Sequence, residues 1–364
     1  MRRINNPTIL LNREICEGNI RKMTGKAEKH HVTLVPHFKT HQSAEVGEWL
    51  KEAGVRAITV TSLKMANYFA QHGWKDITIA FPTNVLEVEQ LSALAGEIDL
   101  KIFVNSLNTA ETLTEKLKAP VKFYIEVDTG DGRSGVEASN FSEISKILEA
   151  TEDSSLEFFG FYTHPGHTYN ASSLNEVKKI SEEVVQKLGV LKGRFQDDFP
   201  YLKLALGDTP SCSILEDFDG IDSIHPGNFV YYDLVQNSIG SNKIEEIAIC
   251  LAVPVVEVHS NRDEVIVHSG WVHQGKDALI KESGDTHYGL IVHLNECGWS
   301  TPIAGAEVIK LSQEHGVVSL PKEIIAPVKA GDVLGILPVH ACATAVMMGE
   351  IWTTEGEKIE MMPR

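Results

Sequence analysis

From residue 33 to about residue 230 the chain repeats one unit, a short run of β-branched and apolar residues followed by a longer stretch with apolar positions at helical spacing. Eight such runs stand out: TLVPHFK (33–39), AITV (57–60), DITIAF (76–81), LKIFV (100–104), KFYIEVD (122–128), LEFFGFY (156–162), LKLALG (202–207) and IDSIH (221–225). Several are almost continuously apolar, as strands covered on both faces are. The stretches between them, such as SAEVGEWLKEAG, SLKMANYFAQHG and LNEVKKISEEVVQKLGVLKG, are amphipathic and often end in Gly, a helix-stop signal. Alternation of this kind builds a parallel sheet with crossover helices. Eight units in about 200 residues, with no GxGxxG after the first strand, predict a TIM-type (β/α)8 barrel rather than an open doubly wound sheet.

After about residue 240 the texture changes to short strands and turns without long helices, as in EVIVHSG and YGLIVHL. This predicts a C-terminal all-β domain behind the α/β barrel. The barrel is expected over 15–238 and the β domain over 239–364, with the strand-like opening NPTILLN bringing residues 1–14 into the β domain. Two domains also suit the length, since 364 residues exceed the roughly 250 to 300 that one core serves.

Composition narrows the partners. Lys and Arg number 33 against 50 Asp and Glu, a net charge of −17 that would repel phosphate backbones and anionic headgroups, so neither nucleic acid nor membrane is expected. The longest apolar stretch, Ile247 to Val256, is interrupted by Pro254 and is half the length of a spanning helix, and no secretory signal opens the chain, so a cytoplasmic protein is expected. Five scattered cysteines without a CxxC argue against a disulfide framework.

In such barrels the working residues lie just past the carboxyl ends of the strands. Those positions hold Lys39, Asp128 with Arg133, His164, Thr209 with Ser211, and Gly227 with Asn228. Lys39 in PHFKTHQ ends a central strand, where a desolvated ammonium becomes a usable amine nucleophile; it also reads as an ordinary lysine at a strand end. LGDTPS (206–211) and HPGN (225–228) follow strands seven and eight, the recurrent phosphate site of this fold, although Gly and Pro also simply turn a chain. In LPVHACATA, His340 and Cys342 are two apart, and on a strand they would share a face, where an imidazole and a thiolate suit zinc; a half-buried strand with a free cysteine has the same spacing. The loop THPGHTY (163–169) suggests positioning roles for His164, His167 and Tyr169, and QEHG (313–316) raises a metal question in the β domain. His30 and His31 read as solvated residues on a helix.

Taken in order, PHFKTHQ, DTGDGRSG, THPGHTY, GDTPS, HPGNFVYYD, QEHG and PVHACAT resemble the D-serine dehydratase and D-threonine aldolase family of fold-type III, alanine racemase-like pyridoxal phosphate enzymes, over essentially the whole chain. The resemblance implies a homodimer with pyridoxal 5'-phosphate in the barrel. It implies that Lys39 is the Schiff-base lysine, that Arg133 and His164 lie near the cofactor, that Tyr169 stands beside it, that Thr209, Gly227 and Asn228 cradle its phosphate, and that His340 and Cys342 bind Zn2+. His-x-Cys, rather than the His-x-Asp of D-threonine aldolases, implies a dehydratase that turns a small D-3-hydroxy amino acid such as D-serine or 3-hydroxyaspartate into a 2-oxo acid and ammonia. Aldol cleavage by the same scaffold is the nearest alternative. Racemisation and a non-catalytic cofactor-binding role are more distant ones. His225 stands where alanine racemases carry an arginine, and Gln42 where a basic residue is expected.

Overall fold

The computed structural model describes residues 4–281 and 283–363. Eight short strands run parallel in the spatial order Thr33–Leu34, Ser223–Ile224, Lys203–Leu206, Leu156–Thr163, Val121–Asp128, Asp99–Phe103, Asp76–Pro82, Ala57–Val60. The ring is closed where the first strand's extension meets the last: the Thr59 N–H donates to the Pro36 carbonyl and the Phe38 N–H to the Thr59 carbonyl, at 2.9 and 2.8 Å. The expected eight-stranded barrel is therefore the observed fold. Pro36 lacks an N–H, which thins the ladder on this strand and confines its regular part to two residues.

Amphipathic helices follow the strands. Leu63–Gln71 begins at Ser62, whose hydroxyl accepts from the Met65 N–H, and Leu174–Phe195 begins at Ser173 in the same way; each cap satisfies a donor that a helix start otherwise leaves orphaned. The barrel interior is filled by Phe103, Tyr124, Tyr162 and Ala205, with His225 against the two tyrosines. His225 is almost fully buried. Its Nδ1 is paired with the Thr59 hydroxyl at 2.7 Å and its Nε2 with the Ser223 hydroxyl at 2.9 Å, so both ring nitrogens are used inside the barrel.

The second part is a nine-stranded sheet, antiparallel except where Thr8–Leu11 runs parallel to Glu350–Thr353. Thr8–Leu11 also pairs with Ile249–His259, which carries the N-terminal strand into this sheet. Short helices interrupt it at Trp271–Gln274, Lys322–Ile325 and Ala341–Met348. By compactness the chain divides into Lys22–Lys39 with Gly47–Gly227, the barrel, and Met1–Arg21 with Thr40–Val46 and Asn228–Arg364, the strand-rich unit. Among the described residues no helix is long and apolar enough to cross a membrane.

Candidate active site and metal pair

Within the barrel unit, one cavity of about 410 Å³ opens beside the carboxyl ends of the strands, and Lys39, Arg133 and His164 all line it with His37, Glu126 and Tyr162. Lys39 sits in the turn two residues past the bridge at His37, and its backbone N–H donates to His37 Nδ1 at 3.3 Å. Burial, with the nearby charges of Lys39, His164, His225 and Arg133, holds His37 well below its ordinary pKa. His164 is held at about 3, by burial first and then by Arg133 and Lys39. Its Nδ1–H donates to the Gly207 carbonyl, which leaves Nε2 as an acceptor. His225 is likewise held at about 3 by burial. The imidazoles around this end of the barrel are thus neutral hydrogen-bonding groups, and the positive charge comes from Arg133 and Lys39.

Glu126 is a cavity residue that the sequence reading overlooked. Its carboxylate accepts from the Asn105 amide at 2.8 Å and the Ser134 hydroxyl at 2.9 Å, and Arg133 Nη2 lies 3.9 Å away. Burial nevertheless raises its pKa. The available signal was an acid between Ile125 and Val127 in an otherwise apolar central strand, a placement that calls for buried partners.

The turn after Lys203–Leu206 is built tightly. A Cβ on Gly207 would fall 2.1 Å from the Tyr162 hydroxyl, so only Gly fits. Asp208 caps the short helix Thr209–Ile214: its Oδ2 accepts from the Ser211 N–H at 2.8 Å and the Thr168 hydroxyl at 2.9 Å. Burial outweighs these bonds and pushes Asp208 up to about 6. Tyr169 and Thr209 come together here, with the Thr209 N–H donating to the Tyr169 hydroxyl at 3.4 Å and the His164 and Tyr169 rings 6.1 Å apart. Gly227 ends the turn whose Pro226 carbonyl accepts from the His37 N–H. Cavity volume, an amine nucleophile, a guanidinium and a glycine turn with no room for a Cβ together fit pyridoxal phosphate.

The strand-rich unit holds the remaining candidates. His340 and Cys342 are not on a strand, which corrects the shared-face reasoning: the strand Val333–Pro338 ends first, His340 is the extended residue before the helix, and Cys342 lies in the first turn of Ala341–Met348. The alanine-rich ACATAVMM favours helix, and the Asp233 carboxylate accepts the Ala341 N–H at 2.9 Å, satisfying a donor at the helix start. The two side chains still approach. Burial lowers the His340 pKa, but hydrogen bonds to Asp277 and Cys342 and the charges of Cys342 and Asp233 raise it to about 11. Asn228 directs its amide to Asp233 at 2.6 Å and to Cys342 Sγ at 3.6 Å, which ties its side chain to this pair. A soft thiolate beside an imidazole suits zinc.

Glu314 of QEHG lies 3.6 Å from both His268 and His273. His273 Nδ1 accepts from the Gly270 N–H, so its Nε2 carries the proton and faces the carboxylate. These are ion-pair rather than hydrogen-bond distances, and with ligand atoms of all three side chains within 4.8 Å of one another the cluster keeps the spacing of a candidate metal group.

Comparison with known proteins shows what the whole chain is similar to. A D-serine dehydratase from Dictyostelium discoideum is 25% identical over 95% of this chain and 92% of its own length. The D-threo-3-hydroxyaspartate dehydratase from Delftia sp. HT23 is 26% identical over 94% of this chain and 92% of its own. Its solved structure superimposes with a TM-score of 0.91, covering 99% of this chain and 98% of that one at 25% identity. A D-threonine aldolase from Arthrobacter sp. matches over only 50% of this chain and 49% of its own, at 23% identity. Residues 248–354 match the family described as "Putative serine dehydratase domain". Residues 12–232, more than half of the chain and nearly all of the barrel just described, match the family "Alanine racemase, N-terminal domain", and the chain belongs to that family.

Proposed function

We propose that this protein is a pyridoxal phosphate-dependent lyase of the dehydratase type, acting on a D-3-hydroxy amino acid such as D-serine or 3-hydroxyaspartate and releasing a 2-oxo acid and ammonia. The observation that carries the reading is the barrel cavity with Lys39 and Arg133 on its wall, in a fold shared along nearly its full length with a dehydratase. Bound there, pyridoxal phosphate supplies an electron sink for the carbanion left when the α-proton departs. Lys39 would hold the cofactor through its amine and, with that amine free, would serve as the base that takes the substrate's α-proton at Nζ. Arg133, His164 and Tyr169 orient the cofactor, and Thr209, Gly227 and the backbone of Asn228 cradle its phosphate. His340 and Cys342 would hold a zinc ion, whose contribution is Lewis acidity toward the departing β-hydroxyl. Loss of that hydroxyl as water leaves an enamine that hydrolyses to the 2-oxo acid. A homodimer belongs to the same reading.

D-Threonine tests the proposal because it offers both reactions of the scaffold. Incubated with the protein loaded with pyridoxal phosphate and zinc, it should give 2-oxobutyrate and ammonia. Glycine and acetaldehyde as the products would overturn the dehydratase assignment in favour of an aldolase.

A further inference from the structure

The two members of the metal pair are held differently. Cys342 is approached by the Thr40 hydroxyl, 3.2 Å from its Sγ, and by the Asn228 amide, which Asp233 anchors in turn. Once the sulfur is a thiolate, as metal ligation requires, both neighbours act as donors to it. His340 is engaged instead by an acid. Its Nδ1 lies 3.4 Å from Oδ2 of Asp277, three residues past the helix Trp271–Gln274.

The turn between that helix and Asp277 is shaped for this contact. Gly275 takes a φ of +83°, and a Cβ there would come within 3.1 Å of Asp277 Oδ2 and 3.5 Å of the Ala343 side chain. The Thr344 hydroxyl donates to the Gln274 carbonyl at 3.4 Å, tying the turn to the helix that carries Cys342. A carboxylate accepts only, so the proton it shares with His340 stays on Nδ1, and the proton that metal binding displaces is the one on Nε2, whose lone pair then faces the ion. Among the described residues no third His, Cys, Asp or Glu ligand atom forms one compact group with those of His340 and Cys342. The contact that Asp277 makes is with the Nδ1 edge of the imidazole.

We propose that Asp277 is the positioning residue of His340, setting its tautomer and ring orientation so that Nε2 and Cys342 Sγ meet one divalent ion. The inference rests on the metal reading given under Proposed function. Its test is zinc affinity, measured on the protein loaded with pyridoxal phosphate by competition with a chromophoric chelator. Asp277→Ala should weaken zinc binding by about 10- to 100-fold, the usual effect of removing such a partner. Asp277→Asn, whose carbonyl still accepts from Nδ1–H, should lose less. Cobalt(II) in place of zinc should show shifted visible bands in Asp277→Ala, a ligand-geometry signal that a purely structural role would not move. Unchanged zinc affinity in Asp277→Ala overturns the positioning role. His340→Ala and Cys342→Ala examine the metal reading separately. If they lose zinc while Asp277→Ala keeps it, only the positioning role falls, and if they too bind like wild type, the metal site itself is elsewhere.

Discussion

Asp208→Asn isolates a single buried charge at the turn that precedes Thr209. The carboxyl is about 1% exposed, and burial raises its pKa from 3.8 to about 6 although two donors reach it. The unfolded chain titrates near 3.9, so between about pH 4 and pH 6 the native state holds a proton that the unfolded state has lost. Stability from this group is present in full below about pH 4 and is lost as pH rises through about 6. A shift of about 2 pH units corresponds to roughly 3 kcal/mol across that window. The Asn side chain does not titrate, and its carbonyl still accepts from the Thr168 hydroxyl and the Ser211 N–H. Urea midpoints of wild type and Asp208→Asn, taken with saturating cofactor at pH 4.5 and 7.5, should therefore diverge. The variant should gain on wild type by up to about 3 kcal/mol at the higher pH. Parallel pH profiles for the two proteins would refute the claim that this carboxyl is destabilised by burial.

Lys39→Ala should lower turnover by at least about a thousandfold, the scale of a lost proton-transfer group, and should abolish borohydride trapping of the cofactor on the protein. Near-normal rates would remove Lys39 from the mechanism. Gly207→Ala places a methyl group 2.1 Å from the hydroxyl of fully buried Tyr162, and this overpacking should cost about 1–3 kcal/mol in urea unfolding. An unchanged midpoint would mean that the turn has room the structure does not show.

Glu126 and Asp277 show where reading the sequence stops. Each is an acid in a stretch whose pattern is otherwise explained, Glu126 in a barrel strand and Asp277 after a short helix. Their partners, Arg133 and Ser134 for one and His340 for the other, follow from loop closure and long-range packing that no local spacing encodes. Asp208 was visible as part of GDTPS, but nothing local revealed that its carboxyl is the buried cap of the helix it precedes.

What the sequence determined by itself was the alternation of strand and helix, hence the eight-stranded barrel and the strand-rich unit after it. Periodic burial is a local property, written in the order of apolar and polar residues. The ordered motifs also placed Lys39, Arg133, His164, Tyr169, Thr209, Gly227, Asn228, His340 and Cys342 on one short roster. Only the tertiary structure decided that Lys39, Arg133 and His164 share a cavity with Glu126, that the Asn228 side chain turns to Cys342, and that His340 and Cys342 meet at a helix start. The alanine-rich stretch there favours helix locally, but the carboxylate that accepts the helix's first N–H comes from Asp233, more than 100 residues away in sequence, and only the fold brings it there.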